Sequence, residues 1–254
     1  MRLGIIVPQG WRGDLEGRDF ETVVEVARRV EELGLDSIWL YDHLQTREGD
    51  PDPVLECWTS LAALARETSR VRLGQIVTCA LYRNPGLLAQ MAATVDAVSG
   101  GRLVVGVGAG WDEREYVDFG YGDALPPIRE RLGHLERTLQ VLRERQRSPI
   151  LVGGGGEKVL LRLVARYADA CNFTDSFDPA FYRGKLDILR RHCDEVGRDY
   201  DTIEKTASFT VRRDDDVDLA ALVAAGIDTF IVYLEPPTDL ERLERFVRTA
   251  LSGM

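Results

Sequence analysis

The chain has 254 residues, 44% hydrophobic and 29% charged, with 32 Lys and Arg against 42 Asp and Glu for a net charge of −10. This is the composition of a globular protein with enough chain for a large core, and it excludes a disordered one. The negative balance argues against broad nucleic-acid or anionic-membrane binding, while leaving room for a local basic pocket.

Residues 3–7 form an apolar run stopped by Pro8 and predict a first buried strand; 9–17 is a polar, Gly-rich loop. Asp19 is placed to cap a helix whose apolar positions Phe20, Val23, Val24, Ala27, Val30 and Leu33 share one face, with Gly34 just past its end. Residues 35–41 predict the second strand, which ends on Asp42-His43. A helix over 53–68, a third strand over 71–77, a helix over 86–98 started by Asn84-Pro85 and ended by Gly100-Gly101, and a fourth strand over 102–108 follow. An excursion rich in Gly, Asp, Tyr and Pro covers 111–127, before a helix over 128–146. Then come a short fifth strand (149–152), the loop Gly153–Gly156, a helix over 157–167, a sixth strand (170–173) and a helix over 179–196 ended by Gly197. A seventh strand (203–211), a helix over 217–225 capped by Gly226, an eighth strand (229–234) and a helix over 241–251 complete the chain. Residues 212–216 read as a solvated turn.

Eight strand–helix units in 254 residues is about one per 32, the spacing of β/α repeats. The strand runs are apolar on both faces, as an all-parallel sheet requires. The expected fold is α/β, a single-domain (β/α)8 TIM-type barrel over residues 1–254. A doubly wound open sheet is the competitor; the count of eight and the lack of a composition shift favour the barrel. A barrel gathers its strand ends around one opening. That opening would collect Pro8-Gln9, Asp42-His43, Thr78-Cys79, Ala109-Gly110-Trp111, Gly153–Gly156, Asn172–Asp175 and Glu235.

Within that ring, His43 is the candidate catalyst, since a titratable pair is out of place inside a buried strand and at home at its carboxyl end. The competing reading is a satisfied surface or supporting histidine. Gly153-Gly154-Gly155-Gly156-Glu157-Lys158 lies between a strand and a helix, where backbone N–H groups converge on an anion and Lys158 adds charge; it lacks the Gly-Lys-Ser/Thr ending of a P-loop. A flexible loop is the alternative. Gly106-Val107-Gly108-Ala109-Gly110 serves either the approach of a flat ring or tight strand packing. Trp111 and Tyr116 are candidate pocket walls. Asp112, Glu113 and Glu115 read as a solvated loop face, and His134 and His192 receive no role. Cys57, Cys79, Cys171 and Cys193 show no metal-ligand or disulfide spacing, and reduced core thiols are expected. No catalytic triad or nucleophile elbow stands out. Small residues and a phosphate cradle, with few strong acids or bases, suggest that a cofactor supplies the chemistry.

The sequence resembles the luciferase-like oxidoreductase superfamily, in particular the branch that uses the deazaflavin coenzyme F420. The resemblance covers most of the chain. It rests on residues 36–43 (DSIWLYDH), 73–78 (LGQIVT), Tyr82-Arg83-Asn84-Pro85 with Leu88-Ala89 and residues 91–96, Ser99-Gly100-Gly101-Arg102-Leu103, 106–111 with Glu115-Tyr116, and 149–154. It implies a TIM-type barrel holding a flavin or deazaflavin ring in its mouth. It further implies a non-prolyl cis peptide at Ile76–Val77 behind the ring, with Thr78 beside it, and Ala109-Gly110 as a cofactor-contacting turn. Asp42 and His43 would lie at the reacting region, and the phosphate-bearing tail would lie along Gly154, Gly155, Gly156, Glu157 and Lys158. Two departures stand out. Trp111 occupies a place where some deazaflavin dehydrogenases carry an acid, and the chain is shorter than many relatives.

The resemblance thus implies hydride transfer between coenzyme F420 and a small organic substrate. The alternatives are an FMN-dependent monooxygenase and a non-catalytic flavin- or deazaflavin-binding barrel. A phosphate-binding isomerase or aldolase is a further alternative, but it lacks an obvious base, Glu235 being the only strand-end candidate. The expected partners are the small-molecule substrate and a second copy of the chain, as a homodimer, with no nucleic acid, no membrane and no metal. Residues 1–8 run straight into a strand pattern and no apolar run is long enough to span a bilayer, so the expected location is the cytoplasm.

Overall fold

The computed structural model describes residues 1–49, 54–212 and 217–252. Nine parallel segments make one sheet: β1 (Arg2–Ile6), β2 (Ser37–Leu40), β3 (Arg72–Gln75), β4 (Thr78–Cys79), β5 (Leu103–Gly108), β6 (Ile150–Gly153), β7 (Ala170–Thr174), β8 (Glu204–Val211) and β9 (Thr229–Leu234). Their order is β3-β2-β1-β9-β8-β7-β6-β5-β4, and β3 also pairs with β5. That last pairing closes the ring, so the sheet is a barrel and not an open doubly wound sheet. The segments β3 and β4 are two halves of one barrel strand, parted at the cis Ile76–Val77 peptide. The continuous third strand expected over 71–77 is therefore split, and the cis bond lies where the resemblance puts it.

The surrounding helices are α1 (Phe20–Glu32), α2 (Cys57–Glu67), α3 (Pro85–Ser99), α4 (Glu113–Asp118), α5 (Ile128–Arg145), α6 (Leu160–Tyr167), α7 (Pro179–Val196), α8 (Leu219–Ala224) and α9 (Leu240–Ser252). Local chemistry sets their ends. Asp19 accepts from the Thr22 amide at the start of α1, which buries Val23, Val24, Ala27 and Val30; each fully buried valine contributes roughly 1.5 kcal/mol. Asn84 and Pro85 start α3 and the left-handed Gly100 ends it. Three expectations change. Helix α2 begins at Cys57 because the Glu56 carboxylate caps it through the Trp58 and Thr59 amides; residue 53, its expected start, lies outside the described residues, as do 213–216 of the expected turn. Helix α6 begins at Leu160, not 157, since no side chain caps its start and the Glu157 carboxylate is turned to Lys185. Helix α4, unanticipated, is nucleated by Asp112, which accepts from the Glu115 amide.

The core has two layers. One lies between strands and helices; the other fills the barrel with Ile6, Trp39, Ile76, Val104, Leu151, Ala170, Ile231 and Tyr233. The Trp39 indole sits where a Cβ on Gly4 or Gly74 would come within 2.8 or 2.3 Å of it, so two neighbouring strands give up their side chains to one large ring. All four cysteines are free and buried. Among the described residues, no helix is long and apolar enough to cross a membrane.

Candidate functional site

His43 lies just past the end of β2, in the barrel mouth. Its ring stacks on Trp11, with centroids 4.0 Å apart and planes 5° from parallel. Trp111 meets it edge-on at 5.5 Å. Its Nδ1 is 2.9 Å from Glu115 Oε1. A carboxylate only accepts, so this contact places the proton on Nδ1 and leaves Nε2 to take up or give away another.

Glu115 is the residue that the sequence reading missed. It is 1% exposed, not part of a solvated loop face. Besides the imidazole, it accepts from the Leu44 amide at 3.0 Å and the Tyr82 hydroxyl at 2.9 Å. Burial alone would raise its carboxyl; the His43 ring, the Leu44 amide and the Tyr82 hydroxyl outweigh that and hold it below the usual carboxylate range. Tyr82 moves the other way, raised by burial and by Glu115. The available signal was the Asp112-x-x-Glu115 spacing of a capping box. Here the Glu reaches the histidine instead of its own helix start. His43, Asp112 and Glu115 bring ligand atoms within 4.8 Å of one another; both Glu115 oxygens accept hydrogens, one of them at the imidazole, and Asp112 caps α4.

Asp42 is buried and holds Arg83 in a two-pronged pair, Nη1 to Oδ2 at 2.5 Å and Nη2 to Oδ1 at 3.0 Å. Arg83 also reaches Glu56 Oε1 at 2.7 Å. Burial drives the Asp42 carboxyl up and the guanidinium opposes it. Burial likewise opposes charge on Arg83, but Asp42 outweighs it and holds the guanidinium's pKa above its ordinary value.

Two cavities open at this end of the barrel and meet at His43, Ile76, Trp111 and Thr174. The smaller, about 330 Å³, is lined by Asp42, Val77, Cys79, Gly108, Ala109, Gly110, Gly153, Gly154, Leu160 and neighbours. The larger, about 590 Å³, is lined by Trp11, Arg12, Tyr41, Arg47, Asp175, Phe177, Phe209, Arg212 and neighbours. Both lie in the range of small-molecule sites, about 300–1,000 Å³. His43 and the first half of the glycine loop thus face one cavity.

The other expected residues lie elsewhere. Thr78 is 0% exposed and accepts from the Trp58 indole at 3.0 Å, supporting the floor from behind. Gly155, Gly156, Glu157 and Lys158 line neither cavity. The Gly154 amide is spent on the Asn172 carbonyl at 2.9 Å. Lys185 Nζ, on α7, binds Gly155 O at 2.9 Å and Glu157 Oε1 at 2.8 Å, and holds the Glu157 carboxyl below its ordinary value. His192, expected to have no role, contacts Glu157 O through Nε2 at 2.8 Å. For Gly106 and Gly108, tight packing is the better account: a Cβ on Gly106 would fall 1.9 Å from Gln75 O, and one on Gly108 would fall 2.7 Å from Val77 Cγ2. Glu235 pairs with Arg212 at 3.3 Å.

The Luciferase-like monooxygenase family profile matches residues 1–145. The F420-dependent glucose-6-phosphate dehydrogenase of Gordonia bronchialis is 27% identical over 240 residues, covering 83% of this chain and 70% of that protein. The enzyme of the same name from Amycolatopsis mediterranei is 35% identical over 138 residues, 53% of this chain, which spans 40% of that protein. In fold, the chain is similar to an F420-dependent secondary alcohol dehydrogenase solved with an F420–acetone adduct, with a TM-score of 0.79 at 16% identity, covering 94% of this chain and 97% of that one.

Proposed function

The chain belongs to the luciferase-like monooxygenase family, and from that premise we propose that it is an oxidoreductase moving a hydride between coenzyme F420 and a small organic substrate. The observation that carries this reading is the meeting of two cavities at His43, Ile76, Trp111 and Thr174. One compartment suits a flat ring and the other a substrate, with an imidazole at the boundary. The relatives that use coenzyme F420 favour it over FMN.

The residues present fit such a ring. The Ile76-Val77 floor and the Ala109-Gly110 and Gly153-Gly154 walls are apolar or bare backbone, which lets a flat aromatic system lie close without desolvating charge. When bound, coenzyme F420 supplies a carbon that donates or accepts two electrons as hydride. The protein's part is to align and to exclude water. Asp42, fixed by Arg83, holds the end of β2 rigid. Glu115 keeps the proton of His43 on Nδ1, and His43 Nε2 gives or takes the proton that accompanies the hydride. Trp11 braces the imidazole face. Trp111, 64% exposed, stands at the mouth where both cavities open and covers the reacting region.

Titrating the purified protein with coenzyme F420 and with FMN side by side, and following cofactor fluorescence, tests this reading. Saturable quenching of coenzyme F420 at lower concentration than FMN is expected. Binding of FMN alone would replace it with the monooxygenase reading.

A further inference from the structure

The larger cavity carries a charge that the redox reading leaves unused. In a chain of net charge −10, the charged side chains lining it, His43 aside, are three arginines and one carboxylate, Asp175. Arg212 is drawn to Glu235. Arg12 and Arg47, among the described residues, make no ion pair. The Arg12 guanidinium is held among three rings, 4.4 Å from the centroid of Tyr233, 5.1 Å from Trp11 and 5.5 Å from Tyr41. Among the described residues it donates only to the Tyr41 hydroxyl, at 3.3 Å, and its Nε has no partner. Arg47 lies over Trp11 at 5.5 Å. The carboxylate of Asp14 accepts from the Gly10 amide at 2.6 Å and the Tyr233 hydroxyl at 3.0 Å, and makes no ion pair with Arg12.

The guanidinium lines the cavity without a carboxylate against it, and charge-assisted hydrogen bonds to an oxyanion are roughly twice as strong as neutral ones. Three rings hold this guanidinium in place, so little rotamer entropy is lost when an acceptor arrives. We propose that the larger cavity recognises an oxyanion: the substrate is a small organic acid or phosphate ester whose charged end sits between Arg12 and Arg47. Its flat or apolar body lies against Trp11, Tyr41 and Phe209, and its reacting carbon faces His43. This rests on the assignment of the smaller cavity to the cofactor ring. The same oxyanion chemistry is present in the cofactor's own phosphate-bearing tail, and the experiment separates the two sources.

Benzoate, phenyl phosphate and uncharged benzyl alcohol are titrated into the full chain, with tryptophan fluorescence as the readout. Both anions are expected to bind at least about tenfold more tightly than the alcohol, the step that one charge-assisted hydrogen bond gives. Arg12→Gln is expected to remove that preference, and Arg47→Gln to reduce it. Coenzyme F420 and its phosphate-free deazaflavin core are titrated into the same proteins, with deazaflavin fluorescence as the readout; Arg12→Gln should leave both affinities unchanged. Equal binding of benzoate and benzyl alcohol by the wild-type chain overturns the proposal with no variant needed. A loss of coenzyme F420 affinity in Arg12→Gln that spares the phosphate-free core also overturns it, assigning the arginine to the cofactor tail. Failure of the wild-type chain to bind coenzyme F420 defeats the redox reading instead, and the anion comparison still decides what the arginines recognise.

Discussion

The two ends of this barrel use the same residue types to opposite effect. At the end where the strands begin, the charges at the strand starts close on their neighbours. Glu204, the first residue of β8, takes Arg72 from the start of β3 at 3.1 and 3.2 Å and Arg2 from the start of β1 at 3.1 Å. Since β3 and β8 are not adjacent in the sheet, that pair plugs the barrel. Asp36, Asp169 and Asp228 each accept the amide of a strand residue, Leu3, Ile150 or Lys205. Where the strands end, among the described residues, a guanidinium nitrogen of Arg12 is left without a partner and the imidazole of His43 is held by one nitrogen only. The difference is that the leaving end, beside the paired Asp42 and Arg83, also presents His43 and Arg12 to the cavities, where barrels place their chemistry.

The sharpest way to break this contrast is His43→Ala. Turnover with coenzyme F420 and a substrate should fall about 10²- to 10⁴-fold, the usual worth of a positioned acid or base, while cofactor affinity holds. Unchanged turnover removes His43 from the reaction. Next is Glu115→Gln, which keeps the shape but offers an amide to Nδ1. A loss of about 10- to 100-fold in turnover is expected, with the pH–rate profile displaced because the tautomer is no longer fixed. A fall in turnover with an unmoved profile would make Glu115 merely structural.

The opposite end should respond in stability alone. Glu204→Ala leaves Arg72 and Arg2 without their shared carboxylate; with partial exposure discounting the full buried-pair penalty, about 2 kcal/mol is expected from denaturant unfolding. Titration with coenzyme F420 should be unaltered, and a weakened titration would erase the distinction between the ends. The smallest effect belongs to Glu31, which accepts the amides of Ser69, Arg70 and Val71 ahead of β3. Partial burial would raise its carboxyl, but the Arg70, Ser69 and Val71 amides outweigh it and bring it down to about 2. A carboxyl lowered on folding stabilises the protein above its unfolded value, and that contribution is lost as pH falls from about 4.5 to about 2. Glu31→Gln should therefore lower stability at pH 7 slightly and flatten its decline across that acid window; a parallel, undisplaced pH curve would contradict the assignment.

Much of this architecture was legible in the sequence for physical reasons. A parallel strand buried on both faces is written as a continuous apolar run, and the helix ends carry their own chemistry at Asp19, Asn84, Gly100 and Gly197. The barrel then places His43 beside Gly153 and Gly154 without any contact being predicted. What stayed hidden depends on contacts between distant segments. Glu115 reaches His43 across 72 positions, and nothing in a run of acids marks one of them as buried. The Arg12 side chain sits in what reads as a plain polar loop until Tyr41 and Tyr233 close around it. The glycine loop reads as an anion cradle; in the fold its Gly154 amide meets the Asn172 carbonyl, and Lys185 joins the Gly155 carbonyl and the Glu157 carboxylate, contacts that only the folded neighbours of the loop define.

A crystal structure of the protein grown with saturating coenzyme F420 shows directly where the ring binds. The deazaflavin ring is expected in the smaller cavity, against Ile76–Val77 and between Ala109-Gly110 and Gly153-Gly154, with His43 at the border to the larger chamber. A ring seated among Arg12, Phe177 and Phe209 instead, or bound outside the barrel mouth, would contradict this placement.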